Sequence, residues 1–229
     1  MSEPGKRASG RAAAQLIEDG MTVGLGTGST ASFFIQSLAE RVRSEGLRVR
    51  GVPTSNAAER LAQEHGIPVF PLTQDTRPDL TVDGADQADA RLNLIKGGGA
   101  ALVQEKLVAA SSGAMIVIAD ESKLVGTLGA FPLPVAIIPF GWETTLQRIK
   151  KAFPHVDATI RLSGDGTPLV TDDGLHIFDL PFGATITDPA ALQARLRAIV
   201  GVAEVGLFVG IASRVIIGRA DGTTFEKTH

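Results

Sequence analysis

The sequence predicts an α/β fold: a parallel sheet covered by helices on both faces, joined to a smaller α+β unit of ferredoxin-like or related order. Three observations carry this. Up to Ala119, short β-branched or apolar runs alternate with helical stretches of about ten residues or more, the pattern of a parallel sheet whose crossovers are helices. From Phe131 the texture changes, because FPLPVAIIPF sets prolines around an apolar run, as at a domain boundary or hinge. The tail at 205–208 and 214–217 is again apolar and β-rich, so the chain is expected to return and complete the first unit. The expected division gives 1–130 with 206–229 to the larger domain and 131–205 to the smaller.

Taken in order, residues 10–20 read as a helix, 21–25 as a short strand, and 30–44 as a helix with apolar Phe33, Phe34, Leu38 and Val42. Next come a strand at 47–52, a helix at 56–65, and strands at 67–70, 80–82 and 92–95. A helix at 100–110 and an apolar strand at 115–119 follow. The second unit reads as strand 135–138, helix 142–152, strand 158–162, a hairpin turning at Asp172-Asp173-Gly174, helix 189–199 and strand 202–207, the order that suggests a ferredoxin-like unit. In a sheet of parallel strands, binding sites lie in the loops at the carboxyl ends.

Composition narrows the function. At 229 residues with 44% hydrophobic and 21% charged residues, the chain is a folded globular one. Twenty-two Lys and Arg against 25 Asp and Glu give a net charge of −3, which supplies no field for a nucleic acid. There is no cysteine, which excludes disulfides, thiolate metal sites and cysteine nucleophiles and fits a reducing compartment. The N-terminus has no apolar signal core and no run approaches the roughly 20 apolar residues of a membrane span, so no membrane association is expected and the cytoplasm is the expected location. His65, His155, His176 and His229 lack metal-ligand spacing and read as ordinary surface or edge residues, so no metal is expected.

Four segments carry chemistry. In MTVGLGTGSTASFF a strand runs through Gly24, Gly26 and Gly28 into Ser29 and Thr30 at a helix start, an arrangement that lets backbone N–H groups, hydroxyls and the helix N-terminus cradle an anion. No Gly-Lys-Ser/Thr follows, and GVPTSN at 51–56 stands where a dinucleotide site would have its acidic residue, so a phosphate monoester fits better than NAD or ATP. The alternative is a tight strand-to-helix turn with Thr30 as N-cap. In DLTVDGADQAD, Asp83 and Asp86 flank Gly84 and Ala85 just past a strand, where carboxylates accept bonds from sugar hydroxyls, move protons or hold a hard cation. The alternative is an Asx-type turn in which they satisfy backbone amides. Lys96 ends a strand and precedes Gly97, Gly98 and Gly99, three glycines that imply a backbone something approaches closely. On the following helix Glu105 falls among Ala101, Leu102, Val108 and Ala109. Burial there would raise its pKa towards that of a general base, and a nearby lysine would lower it again. The alternative is a surface Glu beside Lys106. In MIVIADESKLVG, Lys123 is either a substrate-holding lysine or a solvated one.

GTGST at 26–30, VDGAD at 82–86, KGGGAAL at 96–102, EK at 105–106 and ADESK at 119–123, in this order, closely resemble the ribose-5-phosphate isomerase A family. FPLPV at 131–135, IPF at 138–140, TDDG at 171–174 and VGLF at 205–208 extend the resemblance over the full length. It implies interconversion of D-ribose 5-phosphate and D-ribulose 5-phosphate in the pentose phosphate pathway, with no metal or organic cofactor. It implies a Rossmann-like catalytic domain, a smaller α+β domain and a homodimer. By the same resemblance Glu105 is the proton acceptor, and the chemistry then expected makes Asp83 or a neighbour the ring-opening group and Lys96 the stabiliser of the charge on oxygen, both catalytic. Substrate binding falls on Thr27, Gly28, Ser29, Thr30, Asp83, Gly84, Ala85, Asp86, Lys96, Gly97, Gly98, Gly99 and Lys123. Lys6, in GKRASG, stands where the family has a phosphate-binding lysine, and Gln87 departs from the family's usual DGADE.

Two other readings compete. A sugar-phosphate sensor of related fold would carry a helix-turn-helix, for which the residues before Met21 are too few. An amino-sugar phosphate deaminase of similar fold would act on another phosphosugar, and product analysis with both substrates separates the two.

Overall fold

The protein is described by a computed structural model covering residues 2–228. In chain order its elements are α1 (Glu3–Ala14), β1 (Thr22–Leu25), α2 (Ser29–Glu45), β2 (Arg50–Pro53), α3 (Asn56–Glu64), β3 (Leu80–Gly84), β4 (Gln87–Ala88), β5 (Leu94–Ile95), α4 (Leu102–Ser111) and β6 (Ala114–Asp120). There follow β7 (Leu133–Ile137), α5 (Trp142–Ala152), β8 (Thr159–Ile160), β9 (His176–Leu180), α6 (Pro189–Arg197), β10 (Val202–Val205), β11 (Leu207–Phe208), β12 (Arg214–Gly218) and β13 (Thr224–Thr228). They form two packed units. One takes the chain up to Ala85, Gln104–Leu124 and the residues from Gly210 onward; the other takes Asp86–Val103 and Val125–Val209.

The first unit is built on a six-stranded sheet of order β13-β12-β6-β3-β1-β2, parallel except for β13 at one edge. Strand β6, AMIVIAD, is buried at every position but its first, as a strand covered on both faces must be. Helix α2 turns Ala31, Phe34, Ile35, Leu38 and Ala39 inward at helical spacing and ends on Gly46 in the left-handed region. The chain leaves β1 towards β2 on one side and β3 towards β6 on the other, so β1 and β3 flank the point where strand order reverses. Loops at such a point open a crevice for ligands. The first helix lies against β12 without intervening side chains: a Cβ on Gly218 would sit 1.8 Å from the carbonyl oxygen of Gly5. That contact sets the height of α1, and so of Lys6, on the sheet.

In the second unit, β7-α5-β8-β9-α6-β10 forms an antiparallel sheet of order β10-β7-β9-β8, the ferredoxin-like arrangement expected from the order of elements. Leu133, Val135, Ile137, Ile149, Phe178, Leu180 and Leu196 are fully buried in its core. A second small sheet, β11-β5-β4, is antiparallel. It explains why 86–103 packs with this unit rather than with the parallel sheet, where its strand at 92–95 was expected. Likewise Val125 donates to Ala88 O at 3.0 Å and Leu128 bridges Ile186, which ties 125–128 to the same unit.

Other differences have local causes. The first helix begins at Glu3, not near residue 10, because Ser2 caps it by accepting from the Gly5 N–H and Pro4 sits in its first turn. The expected strand at 67–70 reduces to one bridge between Gly51 and Val69. The run at 202–207 is split between two sheets, as β10 and β11. His65 and His176 are half-buried and His155 is exposed, while His229 lies outside the described residues.

Candidate active site

In the first unit the residues between β1 and α2 form a tight polar loop. Gly26 passes so close to β3 that a Cβ there would lie 2.3 Å from Asp83 Oδ1 and 2.5 Å from Asp83 Cα. Asp83, fully buried, accepts through Oδ1 from the N–H of Thr27 at 3.0 Å and from that of Gly84 at 2.7 Å. The Asx-type role is therefore real for this oxygen, and it serves to join the two loops at the crevice. Gly28, with φ +102°, is the N-cap of α2 and supplies no side-chain cap. The helix thus starts at Ser29, and Thr30 is not its N-cap as the turn reading had it. The N–H groups of the first helical turn face outward from a loop with open space where a Gly28 Cβ would be. Into this end comes Lys6, itself buried, whose Nζ donates to Ser29 Oγ at 2.7 Å. An ammonium, a hydroxyl and an uncapped helix N-terminus together make an anion site.

Two residues that motif reading passed over, Thr54 and Ser55 between β2 and α3, bond to this loop. The hydroxyls of Thr27 and Thr54 lie 2.7 Å apart, and the Thr27 hydroxyl donates to Ser55 Oγ at 2.8 Å. Ser55 Oγ also accepts from Ala58 N–H, capping α3. GVPTSN had been informative only for the acid it lacks, although a Ser before an apolar helix is itself a capping signal.

Glu105 stands in the first turn of α4 and is 5% exposed, so it is not a surface residue beside Lys106, which is buried as well. The outward position is taken by Leu107, 56% exposed. Lys123 closes a one-turn 3₁₀ helix after β6 that is capped by Asp120 through the Ser122 N–H.

In the second unit, hairpin β4–β5 fixes Asp86 and the lysine–glycine loop together: Asp86 N–H donates to Ile95 O at 2.8 Å, and Asp86 Oδ2 accepts from Gly98 N–H at 2.7 Å. Lys96 is 2% exposed, with Nζ 5.5 Å from the centre of the Phe208 ring. Gly97 has φ +109°, and a Cβ on Gly98 would meet Asp86 Oδ1 at 2.6 Å, so Gly97 is favoured by the turn and Gly98 by the carboxylate against it. Gln87 turns its side-chain oxygen to Gly129 N–H at 2.9 Å, a bond that a glutamate would make equally. The loop residues singled out by sequence therefore fall into two sets, Thr27–Thr30, Asp83, Glu105 and Lys123 in one unit and Asp86 with Lys96–Gly99 in the other. Among the described residues no group of three or more His, Asp or Glu side chains is arranged to hold a metal ion, and no helix is long and apolar enough to cross a membrane.

The profile of the family described as ribose 5-phosphate isomerase A (phosphoriboisomerase A) matches residues 50–222. A Cereibacter sphaeroides protein named ribose-5-phosphate isomerase A is 52% identical over 222 residues, covering 95% of this chain and 88% of its own. One of the same name from Methylorubrum extorquens is 51% identical over 229 residues, with 98% and 96% covered. A solved D-ribose-5-phosphate isomerase in complex with phospho-erythronic acid superposes with a TM-score of 0.94 at 39% identity, covering 100% of both chains. The Plasmodium falciparum ribose 5-phosphate isomerase does so with a TM-score of 0.94 at 35% identity, over 98% of this chain and 97% of that one. The Rossmann-like sheet, the ferredoxin-like unit and this likeness over nearly the whole length agree: the chain belongs to the ribose 5-phosphate isomerase A family.

Proposed function

We propose that this chain performs the reaction of its family, acting as an aldose–ketose isomerase that interconverts D-ribose 5-phosphate and D-ribulose 5-phosphate in the pentose phosphate pathway. The observation that carries the site assignment is the Lys6–Ser29 hydrogen bond at the uncapped start of α2, which supports a phosphate monoester there. Thr27, Gly28 and Thr30 complete that cradle, and Lys123 adds a second cation for the substrate.

Ring opening falls to the carboxylates of the Asp83–Gly84–Ala85–Asp86 segment. Glu105 then removes the proton from C2 of the open aldose, the C2–H pair becomes the C1–C2 double bond, and negative charge moves to O1. A proton passes between O2 and O1, and Glu105 returns its proton to C1 to give the ketose. Lys96 and the N–H groups of Gly97–Gly99 stabilise the charge on oxygen while it exists. Phosphate bound away from the reacting carbons holds their register throughout.

The test is NMR of ribose 5-phosphate with the purified protein in D2O containing EDTA. We expect ribulose 5-phosphate to appear with deuterium at the transferred position. No product and no exchange from folded protein would overturn the assignment in favour of another phosphosugar or of a sensor.

We also propose that the chain works as a homodimer in the cytoplasm. The absence of cysteine is consistent with a reducing compartment. In the second unit Phe140 is 94% exposed and Val200 75% exposed, and Ile138, also exposed, is tied to the Val200 neighbour Gly201 by its N–H. Apolar side chains grouped in this way favour a covered face. Light scattering is expected to give twice the chain mass of 23.9 kDa, and the single-chain mass would refute the dimer.

A further inference from the structure

The second unit contains a cation held between one carboxylate and the lysine–glycine loop. Arg161 follows β8, and its side chain is 16% exposed. Its Nε donates to Asp179 Oδ2 at 2.9 Å and its Nη2 to Asp179 Oδ1 at 2.5 Å, a two-pronged pair across neighbouring strands of the sheet. The remaining nitrogen, Nη1, donates to the carbonyl oxygens of Gly97 at 2.8 Å and Gly98 at 3.2 Å. One guanidinium therefore grips two successive peptide groups of the loop, and Asp179 prevents it from turning away.

The consequence follows from peptide geometry. In a trans peptide the C=O and N–H point in opposite directions, so drawing the Gly97 and Gly98 carbonyls to Arg161 turns the N–H groups of Gly98 and Gly99 the other way. The Gly98 N–H meets Asp86 Oδ2 at 2.7 Å, so that peptide is held from both ends. The Gly99 N–H is left aimed to the same side as a donor. The loop needs this help, because Gly97 and Ala100 both have positive φ, at +109° and +61°, and adjacent carbonyls facing one way repel each other. A cation on the carbonyl oxygens also polarises each peptide and strengthens its N–H as a donor.

We propose that Arg161, clamped by Asp179, is a positioning residue for the isomerisation. It orients Asp86 through the Gly98 peptide and presents the Gly99 N–H to the anionic oxygen of the enediolate. The proposal rests on the reaction assigned above. Because the oxygen carries its charge only between the two proton transfers, losing the clamp should lower kcat and leave substrate binding nearly unchanged.

The test compares wild type with Arg161→Ala, Arg161→Lys and Asp179→Asn, all monitored by circular dichroism. Arg161→Ala should lose about thirtyfold or more in kcat, less than the roughly 10²–10³ seen when an oxyanion donor is removed outright because the Gly99 N–H itself remains, with KM for ribose 5-phosphate within about threefold. Millimolar guanidinium, but not sodium or ammonium at equal ionic strength, should restore much of that loss by reoccupying the gap beside Asp179. Arg161→Lys keeps the charge but not the fork, and should lose about tenfold in kcat even if the alanine variant fails to fold. A kcat within threefold of wild type in both Arg161 variants overturns the clamp. So does a loss that follows unfolding or KM and that guanidinium does not rescue. No turnover in the wild-type chain overturns the reaction, and the clamp with it; normal wild-type turnover with unaffected variants overturns the clamp alone.

Discussion

Replacing Glu105 with Gln is expected to cut turnover roughly 10³-fold while KM for ribose 5-phosphate stays within about threefold. The amide keeps the size and most of the hydrogen-bonding reach of the carboxylate but cannot hold the proton taken from C2. Position makes the effect large. Glu105 lies in the first turn of α4 at 5% exposure, so water does not reach it readily as a substitute base. Deuterium entry from D2O should fall in parallel with turnover, because both pass through the same proton transfer. A variant that turns over near the wild-type rate would remove Glu105 as the base and shift the role to the carboxylates of Asp83 and Asp86.

Gly26→Ala is expected to damage stability and activity together. The new methyl group would lie 2.5 Å from Asp83 Cα, which is backbone within a sheet and cannot swing aside as a side-chain tip would. β1 and β3 would have to separate locally, at a cost of about 1–3 kcal/mol or more for an overfilled interior. For a chain of this size about 2 kcal/mol corresponds to a fall in Tm of roughly 4–8 °C. The same displacement parts Thr27 N–H from Asp83 Oδ1, so the surviving folded protein should also show a raised KM. Differential scanning fluorimetry and steady-state kinetics read the two effects separately. An unchanged Tm would mean that the loop between β1 and α2 is not held against Asp83.

Much of this was legible in the sequence because the relevant signals are local. The glycines at 26 and 28 and the Asp83–Asp86 segment each sit where a strand of the parallel sheet ends, and such an end is a loop at the crevice, whereas Lys96–Gly99 follow an antiparallel strand and were legible from the three successive glycines themselves. The burial of Glu105 followed from its place among apolar neighbours on α4. What escaped depends on pairing between distant parts of the chain. β4, β5 and β11 are two residues each, too short to have a period, and only their mutual pairing shows that 92–95 is not part of the parallel sheet. α1 was misplaced because it is lined with Gly5, Ser9, Gly10 and Ala13 rather than with large apolar side chains. Arg161 lies in an unremarkable polar stretch, and nothing near it announces that its guanidinium reaches back to Gly97.

The contact between Gly5 and Gly218 bears on when the protein becomes competent during synthesis. Lys6 is made well before β12, a strand against which its helix rests. A nascent chain still short of β12 can already possess β1, β3 and α4, with Asp83 and Glu105 on them. Its α1 can already lean on α2, where Gly10 meets the backbone of Phe34, but it lacks the backbone contact that fixes its height on the sheet. The final seating of α1, and with it the placement of the Lys6 ammonium beside Ser29, therefore waits for β12, and a chain ended before that strand is expected to hold Lys6 less firmly while keeping β1, β3 and α4.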